Sequence, residues 1–270
     1  MIKEFKYNKG SRAAKELLLQ NGFESLIDFP LDLFAFGLGA TVVEKQLNNS
    51  DGRIISGKKH TIIEINKDIP WESKKRFTLA HEIGHLILHP GIDIHNDDES
   101  TISWFNNKEK QAQKGKIENE ANQFAAELLV PTDLFYLKQR NQKFSPKLLR
   151  DLADIFKVSI TTIAFRYFEL GDHPLCLFHS HNKTVSYWRR PDNYPYFIID
   201  RTKLAPPEDS VAMEFYEKGL IHSKENSKQP IWKSTWFDLK HWENDNDFKF
   251  FEYCIVSKNN NSVLSVVWEE

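Results

Sequence analysis

The sequence predicts an α+β protein in two parts, and three features carry that reading. Helix-period apolar stripes run through residues 70–130 and enclose His81-Glu82-Ile83-Gly84-His85. Short strand-like runs precede them at 40–43, 53–56 and 60–65, enough for a small sheet. Near residue 172 the texture changes to aromatic-rich, strand-like runs, so the expected boundary separates residues 1–171 from residues 172–270. The second part reads as a mostly antiparallel α+β domain.

The first part divides further. Residues 11–19 look helical, with Gly22 as a stop, and a second helix should start at Pro30 and close at Gly37 or Gly39. Pro70 and His89-Pro90-Gly91 bracket a helix of roughly 18 residues. A polar stretch, 91–116, follows and is long for a connection within a domain. Residues 118–130 read as the next helix, ended by Pro131, and residues 131–171 as three short ones. Ser145-Pro146 is the expected start of the second of these, and Val158-Ser159 the turn into the third. In the second part, strands are expected at 175–179, 185–189, 196–199, 232–239, 250–256 and 263–268, with one helix at 210–218.

Composition excludes several classes of protein. Of the 270 residues, 40% are hydrophobic and 27% charged, which is globular rather than disordered. A net charge of −2 gives no overall attraction to nucleic acid or to an anionic membrane. Two cysteines, Cys176 and Cys254, form no CxxC pattern and are expected to be reduced, buried thiols. No apolar run approaches the roughly 18 residues that span a bilayer. The N-terminus has no signal-peptide pattern either, so a cytoplasmic location is expected.

The chemistry concentrates on two helices. Residues four apart lie one turn above each other, so His81 and His85 project side by side and can hold one ion. Glu82 is offset by about 100°, beside the ion, where a general base would take a proton from activated water. Zinc suits such a donor set and lowers the pKa of water it binds to ~7. With ten histidines in the chain, a chance HExxH has odds of roughly a few per cent, so context decides. The helix is apolar nearly all round, as a buried helix is. Gly84, at a cost of ~1 kcal/mol in helix propensity, points to a close approach by a ligand, a metal or a neighbouring backbone.

Two imidazoles leave the coordination shell short of one protein ligand. On the following helix Glu118, Ala121, Asn122, Ala125 and Leu129 share a stripe, and the two alanines would let the helices press together. Glu118 is the favoured third ligand, with Asn122 placed to hydrogen-bond a ligating side chain. Glu120, about 200° away from Glu118, is the alternative ligand and otherwise a solvated or capping residue.

Two strings carry a family resemblance. They are Arg76-Phe77-Thr78-Leu79-Ala80-His81-Glu82-Ile83-Gly84-His85-Leu86-Ile87-Leu88-His89, and Glu118-Asn119-Glu120-Ala121-Asn122-Gln123-Phe124-Ala125 with Leu128-Leu129-Val130-Pro131. Together they resemble the ImmA/IrrE family of metallo-endopeptidases, over roughly residues 10–170. The resemblance implies a zincin-like domain with His81, His85 and Glu118 as zinc ligands and Glu82 as catalytic base. It also implies a protein substrate, a transcriptional repressor above all, in a stress or mobile-element response.

Other readings accompany these. Residues 60–65 are an edge strand for an extended substrate or an ordinary core strand. Tyr136 and His89 are candidate donors to an oxyanion. Residues 145–171 have helix-turn-helix proportions, but the second helix is mostly apolar, so packing is favoured over DNA contact. Trp188, Trp232, Trp236, Trp242 and Trp268 are expected to fill the C-terminal core, with a sensing or substrate-recruiting role as the alternative.

Overall fold

The computed structural model describes residues 5–48, 50–57, 60–90, 113–225 and 227–270. Most of the polar stretch expected as a connection, 91–112, lies outside the described residues; from Gln113 the chain is already helical. Two compact units form: residues 1–140 with 152–162, and residues 141–151 with 163–270.

In the first unit, helix α1 (Lys9–Gln20) begins at a capping box. The Asn8 side chain accepts from the Ser11 backbone N–H at 2.9 Å, and Ser11 Oγ accepts from the Asn8 N–H at 3.0 Å. Helix α2 (Leu31–Gly37) follows Pro30, whose fixed φ suits a helix start. Strands β1 (Ala40–Lys45), β2 (Gly52–Ser56) and β3 (Thr61–Asn66) then form a sheet in the order β1-β3-β2. β1 runs parallel and β2 antiparallel to β3. The 60–65 segment is therefore the central strand, and β2 is an edge. Alternation decides the faces: Ile54, Ile63 and Ile65 are buried, while Glu64 on the other face pairs with Arg53 and Lys45.

Two 17-residue helices make the heart of this unit, α3 (Glu72–Leu88) and α4 (Gln113–Leu129). Both pack together, with α1 against α4 and β2 and β3 against α3. Helix α5 (Thr132–Gln139) follows Pro131, its first turn held by the Glu127 carboxylate, which accepts from Thr132 N–H at 3.0 Å and Thr132 Oγ1 at 2.7 Å. Then come α6 (Pro146–Phe156) and α7 (Ile160–Leu170), each divided between the two units. Ser145 Oγ accepts from Leu148 N–H at 3.1 Å and Ser159 Oγ from Thr162 N–H at 3.0 Å, so both starts are capped where expected.

The second unit is built on an antiparallel sheet of order β5-β4-β8-β7-β6. Its strands are β4 (Cys176–His181), β5 (Thr184–Arg189), β6 (Gln229–Ile231), β7 (Phe250–Ser257) and β8 (Ser262–Glu269). Helix α8 (Val211–Lys218) is capped by Ser210. Two expected strands are absent among the described residues. Residues 196–199 contribute only the Ile198–Phe237 bridge, and 232–239 fold around a short helix, α9 (Lys233–Trp236). Asp245 accepts from both Ser234 N–H and Ser234 Oγ, at 2.9 and 2.5 Å, which satisfies the backbone locally instead of through a ladder. The apolar period there serves packing: Tyr194, Trp236 and Phe237 join Phe178 and Phe250 in one cluster. Trp236 and Trp268 are core and Trp188 packs at its margin, whereas Trp232 and Trp242 are exposed. Cys176 and Cys254 are buried free thiols, as expected.

Candidate metal centre

Every residue from Thr78 to His85 on α3 is buried, and the reason lies in its neighbour. A Cβ placed on Gly84 would stand 3.1 Å from both Cα and O of Ala121 on α4, and 3.2 Å from Phe124 Cδ1. Of the approaches that Gly84 suggested, the neighbouring backbone is the one the structure contains. Ala121 and Ala125, both fully buried, complete the seam.

Across this seam three side chains converge. His81 Nε2 and His85 Nε2 lie 2.9 Å apart, and Glu118 Oε2 stands 3.3 Å from the first and 3.5 Å from the second. Bond lengths of 2.0–2.1 Å in an ideal tetrahedron set ligand atoms ~3.4 Å apart, so this triangle is of the right size for one cation. Both imidazoles are about 1% exposed and Glu118 is 22% exposed, leaving the carboxylate side of the triangle open. The donor set of two nitrogens and one carboxylate oxygen fits zinc and similar divalent ions.

Hydrogen bonds behind the rings orient them. Asn122 Oδ1, an acceptor, lies 2.8 Å from His81 Nδ1, which must therefore carry the ring proton and leave Nε2 its lone pair. His85 Nδ1 lies 3.2 Å from His89 Nδ1, and His89 Nε2 lies 3.1 Å from Glu120 Oε2. His89 thus stands behind a ring, on the Nδ1 side, rather than where an oxyanion donor would. Glu120 is not a solvated residue: it is 6% exposed and ion-paired with Lys9 at 2.6 Å. Burial raises its pKa, but Lys9 and His89 outweigh that and hold the carboxyl below its usual range. The spacing of His89, one turn after His85, was the available signal for this contact; nothing in the sequence pointed to Lys9.

Glu82 is fully buried and stands outside the ligand triangle, as its offset requires. Gly52 of β2 lies directly against Thr78 and the Glu82 carboxylate. The edge strand and the candidate base are therefore neighbours. Tyr136 is half-buried on α5.

Fold and site together define a class: an α+β domain that sets an HExxH pair and a glutamate from the next helix around a space fit for one metal ion. Residues 37–168 match the family model of the IrrE N-terminal-like domain, Peptidase_M78. Among solved structures, a Mycobacterium tuberculosis transcriptional regulator matches with a TM-score of 0.63 and 12% identity, over 97% of this chain and 77% of that one. At that identity the likeness is one of fold. No curated protein matches the chain in sequence.

Proposed function

We propose that this protein is a zinc-dependent endopeptidase that cleaves a regulatory protein, a transcriptional repressor in particular, in a stress or mobile-element response. The observation that carries the reading is the convergence of His81, His85 and Glu118 beside a buried Glu82. A bound divalent cation supplies Lewis acidity, polarising the scissile carbonyl and making water acidic enough to be deprotonated near neutral pH. His81, His85 and Glu118 hold it, and Asn122 orients His81. Glu82 takes the proton of the attacking water and returns it to the leaving amine nitrogen, so its carboxylate ends the cycle unchanged.

β2 offers the substrate a backbone to pair with. Asn66 N–H donates to Asp51 O at 2.8 Å and Gly57 N–H to His60 O at 2.9 Å, so odd-numbered residues of this strand face β3. Gly52, Ile54 and Ser56 then turn their N–H and C=O groups to the other edge, along which no strand pairs among the described residues. An extended peptide adding there would run past Glu82. A cavity of about 200 Å³, lined by Ile54, Ser56, Thr61, His85, Leu86 and His89, is placed to take one of its side chains.

DNA is not the proposed partner, because every residue of α7 is buried or half-buried, which leaves no face to enter a groove. No membrane contact is proposed; no described helix is long and apolar enough to cross one. Two buried thiols suit the cytoplasm. Residues 172–270 are proposed as a sensing or substrate-recruiting domain, on the strength of the exposed Phe197, Trp232 and Trp242.

Co-expression with a candidate repressor tests the reading. Cleavage by the wild type, none by Glu82→Gln, and equal zinc content in both is the expected result. Equal cleavage by Glu82→Gln would remove the proposed base.

A further inference from the structure

Resting on the metal centre proposed above, we infer that Lys9, Glu120 and His89 form a chain of positioning residues that fixes which nitrogen of His85 faces the metal.

The polarity of the chain follows from its two ends, the Lys9 ammonium and the metal-facing Nε2 of His85. The Lys9 ammonium has donors only, and its Nζ lies 2.6 Å from Glu120 Oε2. The Glu120 carboxylate has acceptors only, so His89 Nε2, 3.1 Å from the same oxygen, must carry the proton it donates. At the other end, a His85 that ligates through Nε2 has its proton on Nδ1, and His89, then neutral, accepts on the lone pair of its own Nδ1. The 3.2 Å contact to His85 Nδ1 needs one donor and one acceptor, so His85 must supply the N–H. With its proton on Nδ1, His85 presents a bare Nε2 to His81 and Glu118. A His89 protonated on both nitrogens would instead leave His85 Nδ1 the acceptor and put a hydrogen on Nε2, which blocks ligation.

The two histidines are therefore oriented by different means. His81 needs one neutral amide, Asn122. His85 is set by a charged relay whose last member sits on α1, outside the 37–168 span of the family domain, with its side chain 59% exposed. His89 and Glu120 are buried, at 6% and 8% side-chain exposure, so the low-dielectric part of the chain is short and directional. Lys9 is placed because α1 lies against α4: a Cβ on the adjacent Gly10 would stand 2.2 Å from Glu120 O.

The test is the zinc affinity of the full chain, measured by competition with a chromophoric chelator. It is paired with the His85 Nδ1–H resonance in ¹⁵N-labelled, zinc-loaded protein. His89→Phe and Glu120→Gln should each weaken zinc binding about 10–100-fold and shift or broaden that resonance. Lys9→Met should do so by a smaller factor. His89→Gln, whose amide can both accept and donate, should recover part of what His89→Phe loses. Wild-type affinity and an unmoved resonance in folded Glu120→Gln and His89→Phe would overturn the relay. Should His89→Phe not fold, Lys9→Met and Glu120→Gln decide the matter by the same two readings. His81→Ala separates the two layers of the argument: zinc affinity unchanged in that variant overturns the metal centre, and the relay with it. Affinity lost there but intact in the relay variants overturns the relay alone.

Discussion

Gly84 and Ala121 meet across the α3–α4 seam so closely that one added carbon at Gly84 would stand 3.1 Å from the Ala121 backbone. The close approach brings His81 and His85 within reach of Glu118. Gly84→Val should force the helices apart, costing about 1–3 kcal/mol by overpacking, and should weaken zinc binding as the triangle opens. Gly84→Ala regains ~1 kcal/mol of helix propensity against a tighter contact and should be the milder change. Urea denaturation and zinc titration on the same samples check both.

Glu118 is the partly exposed member of the triangle, at 22%, so its replacement should separate binding from folding. Glu118→Gln keeps the shape and removes the charge. Zinc affinity should drop at least about 100-fold, the upper end of what loss of a mere supporting hydrogen bond produces. The melting temperature of the metal-free protein should stay within a few degrees. An affinity close to wild type would show that Glu118 is not a ligand.

The pattern of what could be read from sequence has a physical cause. The two long helices were visible because their burial writes a 3.6-residue period, and Gly84 with Ala121 and Ala125 announced a seam. β7 and β8 were visible as runs rich in aromatic and β-branched residues, Phe250, Phe251 and Tyr253 in one and Val263, Val266, Val267 and Trp268 in the other. By contrast, 232–239 looked like a strand because Trp232, Trp236 and Phe237 are aromatic. Its backbone is satisfied instead by Asp245, eleven residues beyond Ser234, a pairing no local period encodes. The edge position of β2 was hidden for a similar reason: strand order follows from pairing, and period says nothing about neighbours. The Lys9–Glu120 contact joins residues 111 apart, so neither residue carries a mark of it.

His179 on β4 makes stability depend on acidity. Its ring stacks on Tyr187, with centroids 4.9 Å apart, and neither nitrogen has a hydrogen-bond partner among the described residues. Burial, with a minor contribution from His181, depresses its pKa from 6.5 to about 4. Between those values the unfolded chain binds a proton that the folded chain refuses. Stability is therefore complete above pH 6.5 and falls as pH drops towards 4, by up to about 3 kcal/mol. His179→Phe cannot titrate, so its stability should be flatter across that window and no lower at pH 7. Hydrogen exchange of the β4 and β5 amides at pH 4.5, 5.5 and 7 gives the reading. A slope equal to that of the wild type would assign the acid sensitivity elsewhere.

Glu252 should produce the opposite slope. Its carboxyl is fully buried on β7 and accepts from Val211 N–H at 2.9 Å and Ala212 N–H at 3.3 Å, the open N–H groups at the start of α8. Trp236 Nε1 at 3.3 Å, Ser265 Oγ at 2.5 Å and Cys254 Sγ at 3.3 Å complete the set. Burial raises its pKa, and these donors reduce the rise without cancelling it. A raised carboxyl contributes stability below its unfolded pKa and loses it as pH climbs through the folded one. Glu252→Ala leaves two helix-start N–H groups without an acceptor and opens a cavity, so it should cost about 3 kcal/mol or more. Glu252→Gln keeps one acceptor oxygen, should cost less, and cannot ionise. Compared with wild type, its stability should therefore decline less from pH 5 to pH 8. If Glu252→Gln and wild type decline in parallel, the buried carboxyl is not the group that titrates.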